Sequence, residues 1–129
     1  MSDQQARGEL LSQTIAMPRD GNVNGEIFGG WLVSQMDISA AILSRHTSKG
    51  RTTTVAIESV IFKKPVQVGD CVMCFGELEK IGRTSMHIRL ELWVKRFESF
   101  QQEQVAEGVF VFVAIDENGK PRPIEQANL

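Results

Sequence analysis

The stretch that decides the fold spans residues 24–43 and reads Asn24-Gly25-Glu26-Ile27-Phe28-Gly29-Gly30-Trp31-Leu32-Val33-Ser34-Gln35-Met36-Asp37-Ile38-Ser39-Ala40-Ala41-Ile42-Leu43. After Gly30 neither Pro nor Gly occurs before Gly50, and the good helix formers Ala, Leu, Met and Gln recur. Apolar residues occupy almost the whole circumference of such a helix, which predicts a helix buried on nearly every side. It is too short and too often interrupted by polar groups to span a bilayer.

The flanking segments predict strands. Residues 9–17 form a first extended run before Pro18, and four more follow the helix at 51–62, 71–81, 84–97 and 105–115. In the run 84–97 the apolar residues alternate with mostly polar ones from Met86 to Lys95, which predicts one face on a core and a wetter opposite face. The short connections between the strands favour antiparallel neighbours. This order predicts an α+β fold in which an antiparallel sheet of about five to six strands wraps around one long buried helix. The last strand is apolar on both faces, which indicates that a second copy of the chain covers the sheet.

Composition limits the classes of function. The 129 residues are 42% hydrophobic and 23% charged, which fits one globular domain over 1–129, with a loose tail at 1–8 and a second tail at 120–129. A formal net charge of -2 gives no global basic footprint for nucleic acid. The polar N-terminal residues lack the apolar core of a signal peptide and no segment predicts a membrane span, so we expect a cytoplasmic location.

The two cysteines, Cys71 and Cys74, have the spacing of a redox or zinc motif but lie in a strand-like run. Residues three apart on a strand point to opposite faces, so the two thiols are poorly placed to form a disulfide or to share a metal. We therefore expect no redox role and no metal site.

Asp37 is the one charged residue inside the apolar helix. Burying an ionised carboxylate without partners costs several kcal/mol. Asp37 is therefore either paired for structural reasons or exposed to a cavity in which it does chemistry, and the residues alone leave both readings open.

The chain resembles the YciA-type bacterial acyl-CoA thioesterases of the hotdog-fold superfamily over about residues 10–124. The segments that carry the resemblance are Ala16-Met17-Pro18, Asn24 to Trp31 with Ser34-Gln35-Met36-Asp37, Val55 to Ser59, Phe62 to Pro65 with Val68-Gly69-Asp70, Gly82 to Ser85, Glu91 to Val94 and Phe110 to Ala114.

This resemblance implies hydrolysis of fatty acyl-CoA to free acid and CoA. It also implies active sites between the subunits of a hotdog dimer and a homohexamer of three dimers. CoA is then part of the substrate, and no cofactor is expected. The chain departs from the family in having Glu26 where Asp is common, and Ser39 and Ala40 where glycines are common. Both changes bear on rate or on chain-length preference.

Hydrolysis of a thioester needs an activated water or a nucleophile, together with donors to the carbonyl oxygen. Asp37 is the candidate general base or nucleophile. Gly29 and Gly30 lie at the predicted helix start, where backbone N–H groups lack partners and can stabilise an oxyanion, although close packing alone would also explain them. Seven residues separate Gly30 from Asp37, about 10 Å along a helix. If both act, Asp37 must work with the helix start of a neighbouring subunit.

Two more polar residues, Asn24 and Glu26, precede the helix and are candidate catalytic residues. Asn24 could orient the water or the carbonyl, and Glu26 could do the same. Helix capping explains either residue at least as well.

An acidic protein that binds CoA needs a local basic patch for the phosphates. Arg83, with Thr84 and Ser85, lies in a tight turn that offers a charge, hydroxyls and amides. Lys63 and Lys64 offer a second patch, for which solvated surface is an equal alternative. By family resemblance, the backbone of the strand segment from Thr53 to Ile57, including Thr54 and Val55, would hold pantetheine.

Two other functions compete with the thioesterase interpretation. A hotdog dehydratase or hydratase needs a His acting on the substrate, and neither His46 nor His87 lies near the helix start. A non-catalytic acyl-CoA-binding module would leave the acid in the helix unexplained.

Overall fold

The computed structural model describes residues 5–125, which form one α-helix and five strands. These are β1 (Glu9–Ile15), α1 (Gly29–Ser48), β2 (Thr52–Phe62), β3 (Cys71–Ile81), β4 (Ser85–Lys95) and β5 (Gln102–Ala114), with a short 3-10 helix at Pro18–Asp20. All strand pairs are antiparallel, and the order across the sheet is β1-β3-β4-β5-β2. The helix contacts every strand, so the predicted α+β fold is confirmed.

The core lies between α1 and one face of the sheet. As the alternating pattern predicts, β4 points five fully buried side chains at the helix, namely Met86, Ile88, Leu90, Leu92 and Val94. Phe110 and Phe112 of β5 and Met36 of α1 fill the space between them. Gly108 of β5 is required here, because a Cβ would lie 2.6 Å from the backbone oxygen of Ser59.

The prediction that the helix is buried on nearly every side is wrong for the single chain. The side of α1 that faces the sheet is buried, but Ile38 and Ile42 on its outer side are 54% and 39% exposed. The apolar residues on the outer side of α1 therefore form a second hydrophobic surface, which a single copy of the chain leaves exposed to solvent.

The face of the sheet away from the helix is less exposed to solvent than the sequence predicts. Glu91 and Trp93 of β4 are only 4% and 5% exposed. Glu91 accepts hydrogen bonds from Arg89, from Trp93 Nε1 at 2.8 Å and from the Arg7 backbone N–H. Burial by itself raises the pKa of Glu91, but these donors outweigh it and hold the pKa below its usual value.

The Val68-Gly69-Asp70 turn is structural. Asp70 is 2% exposed, pairs with Arg96 at 2.7 Å and accepts the backbone N–H groups of Gln67 and Phe97. This carboxylate thereby ties the start of β3 to the β4–β5 hairpin.

The two predicted tails each contact the domain where they are described. Arg7 pairs with Glu77 of β3 at 2.6 Å. At the other end, Ile124 is buried and Arg122 Nη1 donates to the carbonyl oxygen of Ser48, at the end of α1. Residues 1–4 and 126–129 of those tails lie outside the described part of the chain.

Candidate active site

Asp37 lies where α1 meets β2. Its carboxylate is half-buried, and Thr54 Oγ1 donates a hydrogen bond to Asp37 Oδ1 at 2.6 Å. Thr54 points toward the helix because its register partner Phe112 belongs to the core face of the sheet. The position of the acid is therefore fixed by a strand residue rather than by a charged partner.

An uncovered apolar surface adjoins this carboxylate. It comprises Ile38 and Ile42 of α1 and Ile57 and Phe62 of β2, all between 39% and 54% exposed. β2 carries two further exposed apolar side chains, Val55 and, on the opposite face of the sheet, Ile61. β2 ends the sheet, and among the described residues no strand pairs with its outer edge. An apolar strand with an unpaired edge is a template for pairing with another chain.

The start of α1 presents unpaired amides, as predicted. Phe28 precedes the helix in an extended conformation, and its carbonyl accepts the N–H groups of Trp31 and Leu32. Within residues 5–125 the N–H groups of Gly29 and Gly30 have no hydrogen-bond acceptor, and both residues are exposed. A Cβ at Gly30 would meet nothing within 4 Å. Two donors are thus open to an approaching oxygen at the positive end of the helix dipole.

A pocket of about 300 Å³ lies beside these amides. Its apolar wall is formed by Ile27, Leu32, Phe62, Pro65 and Val66, and Gly29, Lys63 and Lys64 complete it. It is suited to an apolar group placed next to the helix start.

The loop before α1 is organised by Asn22, which the sequence analysis did not select. Asn22 Oδ1 accepts the backbone N–H groups of Asn24 at 2.8 Å and Glu26 at 3.2 Å. Of the predicted residues, Asn24 is exposed and Glu26 is half-buried. Neither side chain has a hydrogen-bond partner within residues 5–125. Sequence alone gave little means to choose between two asparagines spaced two apart.

The candidate CoA-binding residues fall into two groups. Lys63 and Lys64 both pair with carboxylates, Lys63 with Glu107 and Lys64 with Glu103 at 2.7 Å, so neither charge is free. The hydrogen bond from Lys63 is the largest influence on the pKa of the Glu107 carboxyl and lowers it. Burial raises that pKa and offsets only part of the effect.

The β3–β4 turn is arranged differently. Arg83 is exposed, and Thr84 and Ser85 are half-buried. Ser85 and Thr53 both register with Val113 of β5, from opposite sides, so the turn lies at the same end of the sheet as the start of β2. Val55 is exposed on that strand, whereas Thr54 bonds Asp37.

The two cysteines of β3 lie in different surroundings. Cys74 is buried and its partner position on β1 is Ser12, whereas Cys71 is half-buried and registers with Ile15. Burial raises the pKa of the Cys74 thiol to about 11, although a hydrogen bond with Ser39 opposes the rise. In the described part of the chain no group of three His, Cys, Asp or Glu side chains is placed to hold a metal, and no helix there is long and apolar enough to cross a membrane.

Comparison with known proteins gives close relatives. A family model described as the thioesterase superfamily matches residues 24–96. Acyl-CoA thioester hydrolase YciA of Salmonella typhimurium is 48% identical over 125 residues, which cover 95% of this chain and 94% of that protein.

Solved structures agree with that result. A hexameric thioesterase from Yersinia pestis superposes with a TM-score of 0.91 at 47% identity, covering 95% of this chain and 99% of its own. A hexameric hotdog-fold thioesterase of Campylobacter jejuni superposes with a TM-score of 0.89 at 34% identity, covering 94% and 93%.

A more distant structural relative bears on individual residues. The acyl-CoA hydrolase of Staphylococcus aureus, 26% identical, has been solved as two mutants in which an asparagine, or an aspartate fifteen positions later, is replaced by alanine. Asn22 and Asp37 have the same separation here, whereas Asn24 and Asp37 do not. By its family model, its sequence relatives and its fold, this chain belongs to the thioesterase superfamily and, within it, to the YciA-type acyl-CoA thioester hydrolases.

Proposed function

We propose that this protein hydrolyses acyl-CoA thioesters to a free acid and CoA, in a site shared by two copies of the chain. The observation that carries the proposal is the Asp37 carboxylate, held by Thr54 at the margin of an uncovered apolar surface. A purely structural acid would be enclosed by its partners. This one faces the surface on which a second chain and a substrate can meet.

The geometry of β2 supports a shared site. Thr54 lies beside Asp37, and Phe62 lies beside Gly29, where a Cβ on the glycine would touch its ring at 3.4 Å. Both side chains point toward the helix face, because they register with the buried Phe112 and Ala106. If two β2 strands pair antiparallel about a twofold axis at position 58, Thr54 of each copy lies opposite Phe62 of the other.

This pairing places the acid of one copy beside the free amides of its partner. Within one chain the same groups are about 10 Å apart along α1, too far to act on one carbonyl. Dimerisation also covers the exposed apolar residues of α1 and β2. The same contact therefore buries the apolar surface and assembles the site.

The chemistry follows from these positions. Asp37 takes the proton of a water that attacks the thioester carbon, or attacks that carbon itself and forms an anhydride that water then opens. The carbonyl oxygen gains negative charge and accepts hydrogen bonds from Gly29 and Gly30 of the neighbouring copy. Collapse of the tetrahedral intermediate breaks the C–S bond and releases CoA as its thiolate.

Each contribution has a typical size. A well-placed general base accelerates such reactions by about 10²–10⁴. One oriented oxyanion donor supplies about 10²–10³. The side-chain amide of Asn22, in the loop that leads into α1, is the further candidate for orienting the carbonyl or the water, in preference to Asn24. Glu26 of that loop stays a candidate.

Several other expectations stay proposals. We propose that the dimers assemble into a hexamer, as in the hexameric relatives from Yersinia pestis and Campylobacter jejuni. We propose that hydrolysis uses no cofactor, because a thioester is activated enough for a base and oxyanion donors. The cytoplasmic location stays a prediction.

The test is thiol release from a panel of short- to long-chain acyl-CoA thioesters by the wild type and Asp37→Asn. The proposal expects the wild type to hydrolyse some of them, and Asp37→Asn to lose most of the rate while still binding CoA. Binding without turnover by the wild type would identify a binding module instead. Hydration of an unsaturated acyl-CoA would identify a hydratase, although His46 lies about 14 Å beyond Asp37 along α1 and His87 pairs with Glu58.

A further inference from the structure

The far end of α1 carries a basic pocket that is separate from the helix-start amides and from the β3–β4 turn. Arg45, His46, Lys49 and Gly50 line a space of about 410 Å³ where the helix ends. All three basic side chains are exposed. Positive charge is thus concentrated around a concave surface in a chain whose formal net charge is -2.

Four basic side chains elsewhere in the fold are neutralised by carboxylates. Lys63, Lys64, Arg89 and Arg96 each pair with at least one carboxylate. Arg45, His46 and Lys49 form no ion pair with any of residues 5–125. Their charges are not neutralised by the fold itself.

Stabilising the helix end does not require them all. Arg122 already donates to the Ser48 carbonyl oxygen at 3.2 Å and to Ser48 Oγ at 3.2 Å. Lys49 closes the helix in a left-handed backbone conformation, with a φ of 59°, and its N–H bonds the Arg45 carbonyl oxygen. The backbone cap and Arg122 thus satisfy the helix end without the side chains of Arg45 and Lys49.

The pocket lies at a useful distance from the proposed reacting group. Arg45 follows Asp37 by eight residues, about 12 Å along the helix. With 3.6 residues per turn, Arg45 and Lys49 project on the same side of α1 as Ile38 and Ile42. Arg51, at the start of β2, is a further exposed cation at this end. The basic pocket therefore lies at the end of the α1 face that a second copy covers, so a substrate held between the two copies can extend from Asp37 to this pocket.

We propose that Arg45 and Lys49, with His46 beside them, bind the phosphate groups of the CoA moiety while the thioester lies at Asp37. The inference rests on the proposed function and assigns the polar end of the same substrate. CoA has this order of groups, since a pantetheine arm separates its thiol from a phosphorylated nucleotide. Arg83 in the β3–β4 turn adds to the positive electrostatic potential at this end of the sheet but does not line the pocket.

The test compares two substrates that carry the same acyl group, one on CoA and one on pantetheine, which lacks the phosphates. The variant is Arg45→Gln with Lys49→Asn, since Asn tolerates the left-handed backbone at position 49. We expect the KM for acyl-CoA to rise about tenfold and the KM for acyl-pantetheine to stay within about twofold, with kcat unchanged for both. Added salt should raise the wild-type KM for acyl-CoA more than that of the variant.

Lys95→Gln is the matched control, because it removes an exposed lysine at the end of β4 farthest from the β3–β4 turn. It should leave both substrates unaffected. Equal changes with both substrates, or no change with either, would overturn the inference. If the wild type hydrolyses no thioester, the proposed function fails, and calorimetric binding of CoA against pantetheine by the same variants still decides whether this pocket holds phosphates.

Discussion

Thr54 offers the sharpest test of how the fold positions Asp37. Its hydroxyl donates to Asp37 Oδ1 at 2.6 Å, and no charged partner holds that carboxylate within residues 5–125. Thr54→Val removes the donor and keeps the branched shape that a strand favours. The carboxylate then loses its one side-chain hydrogen bond within residues 5–125.

The expected loss follows from the strength of that bond. A hydrogen bond to a charged group contributes about 1.5–3 kcal/mol, equivalent to about 10- to 100-fold in rate if it is needed only in the transition state. Because Asp37 is half-buried rather than enclosed, water replaces part of the interaction. We therefore expect kcat to fall about tenfold, at the lower end of that range.

The assay is steady-state thiol release at saturating acyl-CoA, with kcat and KM reported separately. Thr54→Ser should recover most of the wild-type kcat, because it restores the hydroxyl. Thr53→Val, one residue earlier on the opposite face of β2, should behave as wild type. Equal kcat values for Thr54→Val and wild type, or an equal loss in Thr53→Val, would refute the positioning role.

Two further predictions concern ionisable groups away from the site. The lowered pKa of Glu91 means that its contribution to stability is present above the unfolded value near 4.5 and is lost as pH falls through the folded value. Glu91→Gln should therefore be less stable than wild type at pH 7, by thermal unfolding, and the difference in stability should narrow as the pH falls below 4.5. A difference that stays constant with pH would contradict this. The raised pKa of Cys74 leaves about one thiol in a thousand ionised at pH 8. Mass spectrometry should find Cys74 unmodified by iodoacetamide until the chain is unfolded, and native modification would show that the site is open.

Local patterns were sufficient to predict the elements of the fold. The alternation of Met86 to Val94 predicted which face of β4 is buried, and the run from Gly30 onward predicted α1. The helix was predicted to end near Arg45 and His46, before the break at Ser48-Lys49-Gly50, and the observed helix continues two to three residues further, to Ser48. Strand order could not be predicted, because 39 residues, including two other strands, separate β2 from its partner β5 and no local signal encodes that pairing.

The site was predictable in part. Asp37 stands out because a charge in an apolar helix is costly, and the two glycines stand out at a helix start. The hydrogen bond from Thr54 and the ion pairs that neutralise Lys63 and Lys64 depend on contacts across the fold. Sequence spacing does not reveal those contacts. Asn22 was missed because its role in the loop emerges only from its backbone partners.

The central claim is that each site joins Asp37 of one copy to the helix-start amides of another. Gly30→Pro removes one of those N–H groups at a position in the first helical turn where proline is tolerated, and Gly30→Ala, which keeps the N–H, is its control. Asp37→Asn and Gly30→Pro should each be nearly inactive alone.

The most direct measurement is the thiol-release activity of these two variants co-expressed and purified as mixed oligomers. With random pairing, half of the dimers are mixed and each has one intact shared site, so about a quarter of the wild-type activity should return. If both groups act within a single chain, no mixed dimer has an intact site. Activity that stays at the level of the separate variants, in oligomers shown to contain both chains, would contradict the shared site.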